Sequence, residues 1–193
     1  MGGLQLDSDV GWLIQRLGEL PEPVAEPVLI VVNGLPGTGK SYFCRKLAER
    51  LPFVILESDA LRKTLFLSPS YSPEESARLF LSIHLLIERL LKKGTPVILD
   101  ATNLAERERE YLYSITDRLD VKLIMVRVEA PPQVVFERLK DRRENTENKS
   151  DADWAVYQKM KESVQKINRN HYAVDTSRDI TPVLDKIVRE INK

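Results

Sequence analysis

The sequence is short of several features that would point to particular classes of protein. It has a single cysteine, Cys44, so a disulfide bond within the chain is excluded and a reducing compartment is expected. Its apolar runs stay well short of the ~20 residues that a membrane-spanning helix needs. The first residues also lack the basic and then hydrophobic pattern of a secretory signal. We therefore expect a cytoplasmic protein without a membrane partner.

The sequence also lacks a surplus of either charge. With 29 basic and 29 acidic side chains, its formal net charge is zero. Proteins that bind a long nucleic acid over many phosphates usually carry a basic surplus, so this balance argues against an extended nucleic-acid footprint. It does not exclude a local basic groove. The length of 193 residues, 42% of them apolar, suits one soluble globular domain with a full core.

What the sequence does contain is a glycine-rich loop between a predicted strand and a predicted helix. The apolar run Val28–Val32 leads into G-L-P-G-T-G-K-S, which has the spacing G-x-x-x-x-G-K-[ST] of a phosphate-binding loop. Glycines let backbone N–H groups turn inward around phosphate oxygens, and the helix that follows adds its own free N–H groups. An ordinary glycine-rich turn is the alternative, which the flanking strand and helix disfavour. The residues predicted to surround the nucleotide are Gly34, Leu35, Pro36, Gly37, Thr38, Gly39, Lys40, Ser41 and Tyr42.

Three residues are predicted to hold the phosphates and a metal ion. Lys40 is expected to reach the β- and γ-phosphates, and the Ser41 hydroxyl to ligate Mg²⁺. Asp100 ends an apolar strand, a position at which a carboxylate often completes the metal site through water. Its alternative role is to form a turn. ATP and Mg²⁺ are therefore the predicted cofactors.

Strand-like and helical patterns alternate along the whole chain. Such alternation predicts an α/β fold in which helices cover both faces of a parallel sheet. Residues 1–27 are predicted to form a helix, capped by Ser8-Asp9, and a proline-rich linker, and residues 28–193 the main domain. Apolar spacing predicts another long helix over residues 154–169.

Polar side chains follow the second and third predicted strands, at the edge where ligands of an open parallel sheet gather. Asp59 is suitably placed to accept the proton of an attacking hydroxyl and to hold that oxygen in line with the γ-phosphoryl group. The alternative is that Asp59 only caps the next helix. Arg62, one turn further on, is predicted to bind an anionic group of the acceptor, or else to be solvated. Thr102 and Asn103 are further predicted acceptor contacts.

Two arginines in a later helix form a predicted lid. Arg138 and Arg142 are four residues apart and so share a helix face. Such a pair can close over the triphosphate and neutralise charge in the transition state. The alternative is a solvated helix face, because Glu137 and Asp141 are interleaved with them.

Four segments together resemble the small P-loop kinases related to polynucleotide 5′-hydroxyl kinase. They are Gly34–Ser41, Ser58–Arg62, Asp100–Asn103 and Arg138–Arg142. The wider group includes zeta-toxin-like kinases and antibiotic phosphotransferases, and the likeness covers residues 28 to about 180. It implies a three-layer P-loop fold with a five-stranded sheet in the order 2-3-1-4-5, a helical lid, and ATP-dependent phosphorylation of a hydroxyl.

The resemblance also implies roles for individual residues. The aspartate that matches Asp59 is the general base, and the arginine that matches Arg62 binds the acceptor phosphate or orients the base. The arginine that matches Arg142 contacts the ATP phosphates from the lid. The loop 175–178 would lie near the adenine.

The leading interpretation is therefore a phosphotransferase, and two acceptor classes remain open. One is an oligonucleotide 5′-hydroxyl, although the sequence shows no obvious strip of aromatic and basic residues for it. The other is a small molecule such as an antibiotic, a sugar or a nucleotide-sugar. A regulatory NTPase, with Asn103 or a partner's residue holding the lytic water, is the alternative from another class. The sequence leaves the oligomeric state undecided.

Overall fold

Five short segments rich in valine, isoleucine and leucine form one parallel sheet in the computed structural model, which describes residues 2–102, 104–144 and 153–193. Such continuous apolar runs suit strands that are covered on both faces. The strands are β1 (Val28–Gly34), β2 (Val54–Glu57), β3 (Val97–Thr102), β4 (Lys122–Glu129) and β5 (Tyr172–Asp175). Their spatial order is β2-β3-β1-β4-β5, which confirms the order implied by the resemblance.

The strand register sets three chain segments side by side at one edge of the sheet. Gly34 at the end of β1 lies beside Thr102 on β3, and Glu57 at the end of β2 lies beside Asp100. The glycine-rich loop, the end of β3 and the turn after β2 therefore begin at the same level. This is the carboxyl edge, where parallel sheets bind their ligands.

Helices on both faces complete the predicted three-layer arrangement. They are α1 (Gly2–Arg16), α2 (Lys40–Ala48), α3 (Ser58–Leu65), α4 (Pro73–Lys92), α5 (Glu106–Leu119), α6 (Pro132–Glu144), α7 (Trp154–Glu162) and α8 (Thr181–Ile191). Successive residues of β1 point to opposite cores: Leu29 and Val31 pack with α1, α3, α4 and α5, whereas Ile30 and Val32 pack with α2 and α8. No helix in the described ranges is long and apolar enough to cross a membrane.

The first helix begins earlier than its predicted cap, so that prediction was wrong. α1 begins at Gly2, and Asp9 lies in its middle, almost fully buried. The Asp9 carboxylate accepts two hydrogen bonds from Arg78 on α4, each 2.7 Å long. Val10 and Leu13 are fully buried in the same core as Leu29. The Asp9 carboxylate therefore holds α1 against α4 and does not cap α1.

The helix predicted over residues 154–169 is shorter than expected. α7 ends at Glu162, because the residues beyond it are held by α5. The Arg109 guanidinium donates to the Lys166 carbonyl oxygen at 2.8 Å, and the Glu106 N–H donates to the Gln165 side chain at 2.5 Å. Ile167 is buried by these contacts. Tertiary contacts thus override a helical spacing of apolar residues.

Candidate functional site

The loop between β1 and α2 is held in one shape by positions that suit only glycine. Gly37 and Gly39 have φ angles of 76° and 92°, a region that other residues rarely adopt. A Cβ atom on Gly34 would lie 2.3 Å from the Val128 carbonyl oxygen of β4. The Thr38 hydroxyl donates to the Leu35 carbonyl oxygen at 2.8 Å and closes the turn. The loop is therefore preorganised before any phosphate binds.

Lys40 opens α2 and lies along this loop. Its Nζ atom donates to the Leu35 carbonyl oxygen at 3.1 Å, and its side chain is largely buried. Together with Pro36, Gly37 and Gly39 it lines a cleft at the carboxyl edge of the sheet. A cation next to free backbone N–H groups at a helix start is a site suited to phosphate oxygens.

Ser41 and Asp100 meet on the other side of the same cleft. The Ser41 hydroxyl donates to Asp100 Oδ2 at 2.6 Å, and the carboxylate is nearly buried at the end of β3. Mg²⁺ prefers oxygen ligands and is usually held by one or two carboxylates together with water and substrate phosphates. A hydroxyl and a carboxylate in contact beside the loop therefore fit Mg²⁺. The described residues contain no cluster of three His, Cys, Asp or Glu side chains that could hold a metal without substrate.

The turn after β2 faces the loop across the cleft. α3 begins at Ser58, and Glu57 precedes it as the cap residue without a side-chain capping bond. Asp59 therefore lies within the first turn of α3 and is not its cap. Glu57, Ser58, Asp59 and Ala60 line the cleft together with Asp100, Thr102 and the loop. The cleft encloses about 70 Å³, several times the roughly 10–15 Å³ that one water needs, so protein does not fill the space.

Arg62 lies away from this cleft. Its guanidinium is buried, forms an ion pair with Glu75 on α4, and donates to the Ser76 hydroxyl at 3.2 Å. The Tyr71 ring lies 4.7 Å from the guanidinium carbon. Burial alone would raise the pKa of Glu75, but hydrogen bonds from the Ser70 N–H and hydroxyl, from Arg62 and from the Tyr71 N–H lower it to about 2. In this structure Arg62 therefore joins α3 to α4, and it does not line the cleft.

Arg138 connects the glycine-rich loop to the turn after β5. Its guanidinium donates to the Thr176 hydroxyl at 2.8 Å, to the Thr176 carbonyl oxygen at 2.9 Å and to the Gly37 carbonyl oxygen at 3.4 Å. The Thr176 hydroxyl in turn donates to the Thr38 carbonyl oxygen at 2.5 Å. Arg138 thus contacts the glycine-rich loop from α6, as expected of a lid residue, and its partner in the loop is the Gly37 backbone carbonyl oxygen.

Four other predicted site residues are Thr102, Tyr42, Arg142 and Asn103. Thr102 lines the cleft, and Tyr42 follows Ser41 on α2 with its ring about half exposed. Arg142 belongs to α6, and its side chain is outside the described part of the structure. Asn103 also lies outside the described residues.

Two residues near the loop, Thr176 and Asn33, have structural roles that the sequence analysis did not predict. Thr176 belongs to the loop 175–178, which the resemblance places near the adenine, but nothing in the neighbouring sequence indicates that it would contact Thr38. The Asn33 side chain, buried at the end of β1, accepts the Leu104 N–H at 2.8 Å and fixes the chain after β3. An asparagine in an apolar strand is the signal that could have found it, because buried amides need partners.

Cys44 and His84 are buried groups outside this cleft. Burial raises the pKa of the Cys44 thiol far above its usual value, so the thiol is unreactive and packs as an apolar group. Burial also lowers the pKa of His84 to about 4, which keeps the imidazole neutral at pH 7. Neither residue lines the cleft.

The sequence matches the model of a known protein family. A family model described as an AAA domain matches residues 29–167, which include the loop, Asp59, Asp100 and α6. A curated relative, L-seryl-tRNA(Sec) kinase of Methanococcus maripaludis, is 28% identical over 126 residues, 63% of this chain and 48% of that enzyme. The chain thus matches about half the length of the curated relatives.

Solved structures share the fold. The APS kinase CysC of Mycobacterium tuberculosis, in complex with AMPPNP and APS, superimposes with a TM-score of 0.65 at 16% identity, over 89% of this chain and 100% of that one. Kti12 of Chaetomium thermophilum, in complex with ADP-AlF3, superimposes with a TM-score of 0.65 at 20% identity, over 83% of this chain and 97% of that one. At these identities the likeness establishes the fold alone.

Proposed function

Since this chain belongs to the AAA domain family, we propose that it is an ATP-dependent kinase that transfers the γ-phosphoryl group to a hydroxyl. One observation carries the proposal: a carboxylate, Asp59, lines the same cleft as the glycine-rich loop, Lys40 and the Ser41–Asp100 pair. A nucleotide-binding protein needs the loop alone, whereas a kinase also needs a base beside the terminal phosphate.

The loop residues Gly34–Ser41 hold the triphosphate in this proposal, with Tyr42 at its border. Lys40 leaves the Leu35 carbonyl and pairs with the β- and γ-phosphates, while Ser41 and Asp100 hold Mg²⁺ directly or through water. Bound Mg²⁺ supplies neutralisation of phosphate charge. Arg138 and Arg142 on α6 act as the lid, and the Arg138 contact with the Gly37 carbonyl supports that position.

Asp59 is the proposed general base. The acceptor oxygen bonds to the γ-phosphorus, its proton passes to the Asp59 carboxylate, and the bond from the γ-phosphorus to the bridging oxygen breaks to release ADP. Thr102 and Asn103 are the proposed acceptor contacts. Because Arg62 is paired with Glu75, its part in acceptor binding requires that pair to open. The alternative is that Arg62 orients α3 and with it Asp59.

The acceptor class is the finer part of the proposal. A 5′-hydroxyl of a polynucleotide follows from the likeness of the four motifs, and the curated relative named for a seryl-tRNA is consistent with an RNA-borne hydroxyl. A small-molecule hydroxyl is the other candidate, since an APS kinase shares the fold. We propose residues 28–193 as the kinase domain and α1, within residues 1–27, as a helix packed on it.

The test is transfer of label from γ-³²P-ATP to a panel of 5′-hydroxyl oligonucleotides, sugars and aminoglycosides, with Asp59→Asn as the variant. We expect one acceptor class to be labelled, and a fall of about 10²–10⁴-fold in its rate with Asp59→Asn, the typical contribution of a general base. ADP affinity should stay unchanged. Release of free phosphate alone would identify a regulatory NTPase, and unchanged turnover in Asp59→Asn would remove the base from the proposal.

A further inference from the structure

A groove along α7 shares no residue with the phosphate cleft. It consists of two neighbouring cavities, an inner one of about 350 Å³ and an outer one of about 460 Å³, which share the lining residues Pro132, Tyr157 and Lys161. The inner cavity reaches Leu35 and Thr38, two loop residues that do not line the cleft. We call the two cavities together the α7 groove.

Part of the wall of the α7 groove is apolar and aromatic. Leu35, Val128 and Ile167 line the inner cavity. In the outer cavity Trp154 stacks on Tyr157, with ring centroids 4.9 Å apart and planes 16° apart. The inner volume lies within the roughly 300–1,000 Å³ of typical ligand pockets. Walls of this kind suit a flat ring that can stack on aromatic side chains.

The charged side chains that line the inner cavity have a net charge of one positive unit. Arg127 and Glu129 form an ion pair there with 3.3 Å between Nη2 and Oε2, so their charges offset each other. Lys161 lines both cavities and is exposed. Within the described ranges no carboxylate forms an ion pair with Lys161, and Glu162 lines only the outer cavity. An anionic group in the inner cavity could therefore pair with Lys161, since Arg127 offsets the charge of Glu129.

We propose that the α7 groove is a second binding site, for a nucleotide or nucleotide-like ligand. The base lies against Leu35, Pro132 and Tyr157, and the phosphate pairs with Lys161. Gln165 also lines the inner cavity. Its Oε1 accepts the Glu106 N–H, so its Nε2 is the group that can donate to a base edge. This site is separate from the phosphate cleft, and its existence does not depend on the transfer reaction.

A ligand in the α7 groove contacts the residue that holds the loop together. The Leu35 carbonyl oxygen accepts hydrogen bonds from Lys40 and from the Thr38 hydroxyl. Displacement of Leu35 therefore changes the groups that receive the β- and γ-phosphates. The two sites should be coupled, and each ligand should change the affinity of the other by the same factor.

Trp154 provides the readout for this site. The chain has two tryptophans, so Trp12→Phe leaves Trp154 as the single fluorescent reporter. This protein, with the phosphate cleft saturated by Mg²⁺·ADP, is titrated with AMP, GMP, CMP and UMP. We expect saturable quenching of Trp154 by at least one of them. Lys161→Glu should weaken that binding about tenfold or more, the usual effect of losing a charge-assisted hydrogen bond.

Lys159→Glu is the matched control, because Lys159 is exposed on the same helix and does not line either cavity. Far-UV circular dichroism of both variants checks that α7 is intact, and a melting temperature equal to that of the parent protein qualifies each variant for comparison. Quenching that survives in Lys159→Glu and is weakened in Lys161→Glu supports the site. The proposal is overturned if no monophosphate quenches Trp154 in the presence of saturating Mg²⁺·ADP, or if both variants behave alike.

Discussion

Replacing Thr176 by valine should loosen the phosphate loop, because it removes a hydroxyl that donates to the loop backbone. Valine keeps the shape of the side chain and removes only the hydroxyl, which is nearly buried. The Thr38 carbonyl oxygen then loses its donor at 2.5 Å, and Arg138 loses one of its three acceptors. The substitution thus isolates the contact between the loop and the turn after β5.

The size of the effect depends on which polar groups keep a hydrogen-bond partner in the Thr176→Val variant. A buried polar group that loses its partner usually costs about 1–3 kcal/mol. Arg138 retains the carbonyl oxygens of Thr176 and Gly37, so only the Thr38 carbonyl is left without a donor, and the loss of stability should be about 1–2 kcal/mol. If this loss falls on the conformation that binds phosphate, Kd for ADP rises by about 5- to 30-fold.

Isothermal titration with Mg²⁺·ADP and urea unfolding measure these two quantities. Ser177→Ala is the control, because the Ser177 hydroxyl also forms a short hydrogen bond, 2.6 Å, but to its neighbour Asp175 at the surface. We expect Ser177→Ala to bind ADP like the parent protein. Equal ADP affinities in Thr176→Val and Ser177→Ala would refute the idea that this contact shapes the loop.

Two further predictions concern stability. A hydrogen bond from Arg78 holds the pKa of Asp9 below its usual 3.8 although burial opposes it. The pair therefore stabilises the fold above about pH 4, and this gain is lost as the pH falls through the lowered pKa. In urea titrations Asp9→Asn should cost about 1–2 kcal/mol at pH 7, since Arg78 stays partly exposed, and the cost should shrink as the pH falls below about 4. Gly34→Ala should destabilise the fold by about 3 kcal/mol or more, because the new Cβ would lie 2.3 Å from the Val128 carbonyl oxygen. Gly11→Ala has open space around it inside α1 and should raise the melting temperature through helix propensity. Equal melting temperatures for the two glycine variants would contradict the loop geometry.

Much of the fold could be predicted because apolar residues recur at different spacings in strands and in helices. Both ends of α4 follow from local chemistry. The hydroxyl of the cap residue Ser72 accepts the Glu75 N–H at 3.2 Å, and the helix ends at Lys92, two residues before Gly94, whose φ is 79°. α7 could not be predicted in the same way. Its end depends on Arg109, which is 57 positions from Lys166 along the chain, and a window of neighbouring residues contains no such information.

The cleft could be predicted for a related reason. Parallel strands carry the residues that follow them to a common edge, so Asp59 and Asp100 needed only the positions of their own strands to be assigned near the loop. The three segments meet there in the structure. The orientation of a side chain on a helix is a different matter, as the arginines show.

Arg62 and Arg138 show why charged helix residues are hard to assign. Their spacing fixes the side of the helix on which they lie, but the choice between a substrate anion and a protein acceptor depends on what packs against that side. Arg62 has the Glu75 carboxylate within reach on α4, and a buried guanidinium without such a partner would be strongly destabilised. Arg138 has only carbonyl and hydroxyl oxygens among its described partners. Its charge is therefore not neutralised by these contacts, so of the two Arg138 is the better placed to respond to a phosphate.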